Sequence, residues 1–238
     1  MTQRPPREAQ DPPSSDVQAP EALHHKATID YSSEVIRKGI HLASLAIPVI
    51  YYYISREFAL YLLVPMTTAF FLADVGRWVS PSFGAWYYRT FGWLLRRHEQ
   101  DFTARRLTGA TNILLSAVVC VALFPKIITI NAFAILIISD TTSALVGRRF
   151  GKSRFLSKSL EGTLAFFISA IPVVLIAPKV EGSMTEYALW IIGAAAGAVV
   201  EASVQQVDDN ISVPLTIGLV LWGLYWVILP GLDLYSLT

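Results

Sequence analysis

Charge is scarce in this chain: Asp, Glu, Lys and Arg make up only 16% of its 238 residues, where a soluble domain carries about 25%. That excludes an ordinary water-soluble globule. Cysteine is nearly absent. The single Cys120 lies inside an apolar run, so neither an intrachain disulfide nor a cysteine metal site can form. Long basic stretches are missing too, and the formal charge is only +1, which excludes a nucleic-acid partner that needs a cationic track. The GxxxxGK[ST] order of a Walker loop does not occur, so any phosphate cradle has to be built in another way.

What is present is apolar sequence in long runs. Hydrophobic residues reach 53% and the mean hydropathy is +0.48. A membrane helix needs about 20 apolar residues to cross about 30 Å of hydrocarbon, and runs of that kind fall near 33–55, 57–77, 107–125, 127–147, 162–178, 187–203 and 212–230. They predict an all-α, polytopic transmembrane bundle of about seven spans. Residues 1–30 contain five of the thirteen prolines and little apolar clustering, the composition of a chain that buries no core. The expected organisation is therefore a disordered tail over 1–30 and one transmembrane domain over 31–238. The segment between the second and third runs mixes aromatic and basic residues, which suits a helix in the headgroup layer.

Orientation follows from the nineteen Lys and Arg. With a cytosolic N-terminus, sixteen of them fall inside and only Arg56, Lys126 and Lys179 outside, the bias that marks cytosolic loops. Four polar segments then share the cytosolic face: the start of the first helix, 77–107, 147–162 and 201–212.

Three of these segments carry candidate chemistry. At the start of the first helix, Glu34, Arg37, Lys38 and His41 share one helical face, as membrane anchors or as groups that meet phosphate. The stretch SDTTSALVGRRFGKSRFLSKSLEGTLAFF places Asp140 in an otherwise apolar helix, a costly position unless the carboxylate is paired or metal-bound. Gly147 and Gly151 follow, to let backbone approach a ligand, with Arg148, Lys152 and Lys158 as donors for phosphate. Ser159, Glu161, Gly162 and Thr163 then open the next helix, whose amides favour anions. Late in the chain, Gly193, Gly197 and Glu201 line one helix face and lead to Asp208, Asp209 and Asn210, oxygen ligands of the kind magnesium accepts. The same residues also suit an acidic loop with Ser212 capping the last helix. Asp74 and Arg77 sit at i and i+3 and are expected to neutralise each other. Gly193 and Gly197 form a GxxxG pair that can pack within or between chains, leaving the oligomeric state open.

The motifs RKGIH, DTTSALVGRRFGKSRFLSKSLEGTLAFF and EASVQQVDDNISVP resemble those of the CTP-dependent lipid kinases, the family of dolichol kinase, phytol kinase and yeast-type diacylglycerol kinase. The resemblance covers nearly everything after Ser33. It implies transfer of the γ-phosphate of CTP to the hydroxyl of a lipid alcohol, with a divalent metal such as Mg²⁺, on the cytosolic side of the bilayer. Asp208 and Asp209, with Asp140, would hold the metal; Arg148, Lys152 and Lys158 would neutralise phosphate charge; Asp140 or Glu161 would take the alcohol's proton. A more remote similarity, to phosphatidate cytidylyltransferases, supplies the alternative reaction, although the long PGHGG pattern associated with that enzyme is absent. A lipid transporter is a third expectation, weakened because the polar residues crowd toward one end of the helices.

Overall fold

The computed structural model describes residues 36, 38–95, 99, 105–203 and 207–236; the N-terminal tail and Arg37 lie outside the described residues. Among those residues the chain is all-α, with eight α-helices, one short 3-10 helix and one small hairpin. The first apolar run does not form one rod. Helix over 38–43 breaks at Ser44 and Leu45 and resumes as α1 (Ala46–Tyr53). Then come α2 (Arg56–Val79), α3 (Pro81–Phe91), α4 (Gly109–Leu123), α5 (Lys126–Phe150), α6 (Leu160–Ile176), α7 (Met184–Ser203) and α8 (Asp209–Ile228).

Three helices, α2, α5 and α8, are long and apolar enough to cross a membrane, which makes this an integral membrane protein. The expectation of about seven spans is corrected. With 15 and 17 residues, α4 and α6 rise only about 22 and 26 Å against about 30 Å of hydrocarbon. The first run is interrupted at Ser44, and α7 carries Glu186 and Glu201, both buried in the protein.

Helix α5 is the centre of the molecule. Of its most apolar stretch 72% is buried, against 22% for α2 and 33% for α8. Ile127, Ile128, Phe133, Leu136 and Ile137 fill the core with Phe124, Phe166, Trp190 and Leu221. The GxxxG pair packs inside the chain: a Cβ on Gly193 would meet Leu221 at 2.9 Å and one on Gly197 would meet Ile217 at 2.8 Å. Only glycine lets α7 lie this close to α8.

The two ends of the bundle differ. At one end, the three cations expected outside are occupied with the protein itself. Arg56 donates to the carbonyls of Val121 at 2.6 Å, Ala122 at 3.0 Å and Phe124 at 2.9 Å, closing the open end of α4. Lys179 donates to Val174 and Ala177 carbonyls at 2.7 and 2.8 Å, and Lys126 lies 5.7 Å from the Tyr51 ring.

At the other end α2 is tied to α3 and α4. Asp74 and Arg77 are buried and paired at 3.1 Å, the neutralisation expected from their spacing. Asp74 Oδ2 also accepts from Thr108 N at 2.8 Å and Thr111 Oγ1 at 2.6 Å, while Arg77 donates to the carbonyls of Glu99 at 3.0 Å and Arg106 at 2.5 Å. In the segment expected to lie in the headgroup layer a helix does form, α3, capped by Ser80 with Pro81 in its first turn and carrying the exposed Trp86.

Candidate functional site

Five segments meet at this second end: the helical stretch 38–43, the C-terminal part of α5, the hairpin after it, the C-terminal turn of α7 and the start of α8. The hairpin pairs β1 (Arg154–Phe155) with β2 (Lys158–Ser159). Its turn holds Leu156 at φ +52°, a left-handed backbone that a bulky L-residue rarely adopts. Ser157 donates from its amide, at 2.9 Å, and from its hydroxyl, at 2.5 Å, to the Ala202 carbonyl. That contact seats the hairpin on the open end of α7 and delivers Lys158 to the carboxylates.

Lys158 Nζ donates to Glu201 Oε1 at 2.5 Å and to Asp209 Oδ2 at 2.8 Å. Glu201, 1% exposed, also accepts from Ser143 Oγ at 3.0 Å. Ser143 lies one turn after Asp140 on α5, so the two share a face. Asp140 in turn accepts from Lys38 Nζ at 3.0 Å, with His41 Nε2 at 3.4 Å from the same oxygen. Two acid–base pairs from distant parts of the chain thus stand side by side, and oxygens of Asp140, Glu201 and Asp209 lie within 4.8 Å of one another. Three carboxylates against two ammonium groups leave one net negative charge where like charges crowd together.

The donor set fits a hard divalent cation. Three carboxylate oxygens are the ligand type Mg²⁺ takes, and Glu201 Oε2 is buried with no hydrogen-bond partner, a costly state for a carboxylate oxygen. Of the metal-holding residues expected from sequence, Asp140 and Asp209 join this group, and Asp208 and Asn210 do not. Asp208 is the N-cap of α8, its Oδ1 accepting from Asn210 N at 3.0 Å, so the cap is Asp208 and not Ser212. The Asn210 side chain is buried beside Gly109 at the start of α4.

The glycines expected to admit a ligand face protein instead. A Cβ on Gly162 would meet the Ser143 carbonyl at 3.2 Å, and one on Gly151 would meet the Gly147 carbonyl at 2.3 Å. With Gly147 they allow α6 to start against the end of α5. Ser159 caps α6 by accepting from Gly162 N at 3.1 Å, and Thr163 donates to the Ser159 carbonyl at 3.1 Å. Glu161 turns away to the Ser153 amide at 3.1 Å, and backbone hydrogen bonds, its own first and that of Ser153 next, hold its carboxyl below the usual range. Lys152 and Arg148 are both exposed.

Glu201 is the member that sequence reading left without a role. Its signal was its position four residues after Gly197, on the small-residue face that packs inward. A carboxylate there has to be partnered.

The Lys158 ammonium combines opposed effects. Burial would push it down, but Asp209 and Glu201 outweigh this and hold it above its ordinary range. A raised folded value means that the stabilisation is complete below the unfolded value of about 10.4 and is lost as pH climbs through the folded one. Lys158→Arg keeps its charge throughout. The gap in melting temperature between wild type and Lys158→Arg is therefore expected to stay constant from about pH 7 to about pH 10 and to move in favour of the arginine above that. A gap that shifts near neutrality would disprove the pairing.

Fold and cluster together define a class: an α-helical membrane protein in which lysines meet the buried carboxylates Asp140 and Glu201 at one end of the bundle. The chain is 30% identical over 191 residues to "Uncharacterized protein RP860" of Rickettsia prowazekii, across 79% of this chain and 93% of that protein. It belongs to the same family as that protein. It is also 30% identical over 104 residues to "CTP-dependent diacylglycerol kinase 1" of Schizosaccharomyces pombe, covering 42% of this chain and 46% of the kinase. No family model matches the chain, and no solved structure matches it.

Proposed function

We propose that the protein is a membrane lipid kinase that transfers the γ-phosphate of CTP to the hydroxyl of a lipid alcohol at the cytosolic face. The observation that carries this reading is the meeting of Lys38, Asp140, Lys158, Glu201 and Asp209 at one end of the bundle. The partial likeness to a CTP-dependent diacylglycerol kinase agrees with it.

In this reading Glu201 and Asp209, with Asp140 beside them, would hold a divalent cation, which would supply positive charge to offset that of the nucleotide phosphates. Lys158, on its hairpin, leaves the carboxylates to meet the transferring phosphoryl group, whose charge grows on its outer oxygens. Lys152 and Arg148 on the rim steer the nucleotide inward. Lys38 and His41 fix the Asp140 carboxylate at one oxygen, and the other takes the proton of the alcohol as its oxygen bonds to the γ-phosphorus. The bond from that phosphorus to the bridging oxygen breaks, and CDP leaves.

The test uses purified protein in lipid with CTP labelled at either the α- or the γ-phosphate. Kinase chemistry puts the γ-label into lipid. Transfer of the α-label instead would replace the kinase with a cytidylyltransferase, and transfer of neither would remove both.

A further inference from the structure

Above the carboxylate cluster, between α1, α5 and α6, lies an apolar groove of about 740 Å³, within the ~300–1,000 Å³ of ligand sites. Leu45, Val49, Ala134, Ile138, Val173 and Ile176 are among its walls. Its polar side chains are few: Ser169, whose Oγ donates to the Phe166 carbonyl at 3.0 Å, and the two exposed tyrosines Tyr52 and Tyr53. Val49 and Ile176 on its walls are 52% and 85% exposed, so the groove faces the surrounding hydrocarbon.

We infer that this groove holds the hydrocarbon chain of the lipid alcohol and presents its hydroxyl to Asp140; the identity of the occupant rests on the kinase reading above. Continuity with the cluster favours this occupant over a passing bilayer lipid. The helical stretch 38–43 that carries Lys38 and His41 to Asp140 leads, across the break at Ser44–Leu45, straight into Leu45, Pro48, Val49 and Tyr52 of the groove wall. On α5 the lining residues Ile130, Ala134 and Ile138 climb toward the level of Asp140, which stands on a different face of the same helix. Their span is about 12 Å of helix, room for a length of chain extending from the polar end.

The concavity is built into the backbone. The helix break at Ser44–Leu45 and prolines 48 and 172 lie on its walls, and proline interrupts the regular helix ladder. The hydroxyl end then meets the carboxylate cluster, while the chain stays in an environment as apolar as the bilayer. A lipid alcohol can enter sideways without leaving the membrane.

The test uses a long-chain primary alcohol with a photoreactive diazirine in its tail, and variants on two walls. Ala134→Trp and Val49→Trp should each shift the preference for short over long alcohols by at least about tenfold, with Val79→Trp, exposed and outside the groove, as the control. In the wild-type protein the label should fall on α1, α5 and α6 at groove positions. Label scattered over the outer faces, with both tryptophan variants as selective as wild type, overturns the groove. Label in the groove with no phosphate transfer from CTP to any alcohol keeps the lipid site and removes the kinase reading.

Discussion

Glu201→Gln is expected to lower γ-phosphate transfer by about 10²-fold or more while leaving the protein folded. The substitution keeps the shape and keeps an oxygen for Ser143 and Lys158, which Glu201 Oε1 holds at 3.0 and 2.5 Å. What it removes is charge. Without it, Asp209 is the carboxylate left to balance Lys158, and the proposed cation site loses the ligand whose second oxygen is buried without a partner. The loss should be accompanied by a higher requirement for Mg²⁺, because weakening a ligand is compensated by concentration. The measurement is the initial rate across a Mg²⁺ titration. A wild-type rate with an unchanged Mg²⁺ midpoint would remove Glu201 from the site.

The largest effect on stability is expected at the other buried pair. Asp74→Ala leaves Arg77, 2% exposed, inside the protein without its carboxylate. Removing one partner of a buried ion pair costs about 3–5 kcal/mol, a large part of a typical stability of about 5–15 kcal/mol. Thr108 and Thr111 also lose the oxygen they donate to, so the start of α4 is freed together with the end of α2. A fall in melting temperature on the order of 10 °C follows. A fall of less than about 2 °C would mean that the carbonyls of Glu99 and Arg106 satisfy Arg77 unaided.

The two pairs separate structure from chemistry at the same end of the bundle. Asp74 and Arg77 are enclosed and tied to neighbouring backbone. Lys158 is a third exposed and Asp209 about a fifth, while Glu201 is enclosed beneath them. The i, i+3 spacing of Asp74 and Arg77 read that pair as self-neutralising, as it is. No spacing relates Lys38 to Asp140, or Lys158 to Glu201. Those partners are 102 and 43 residues apart.

Sequence by itself determined the membrane class, the all-helical character, the position of most helices and the end at which polar groups collect. These follow from composition, run length and charge placement, which are local properties of the chain. Tertiary structure decided how many helices are long enough to span, because helix ends are set by caps and breaks such as Ser44, Thr108 and Ser159. It turned the glycines of the 147–162 segment into helix contacts, and it exchanged Asp208 and Asn210 for Glu201 in the acidic group. A ligand set depends on which side chains converge from separate helices, and convergence is fixed by packing, where a glycine face on α7 brings a buried carboxylate to a lysine that a small hairpin holds in place.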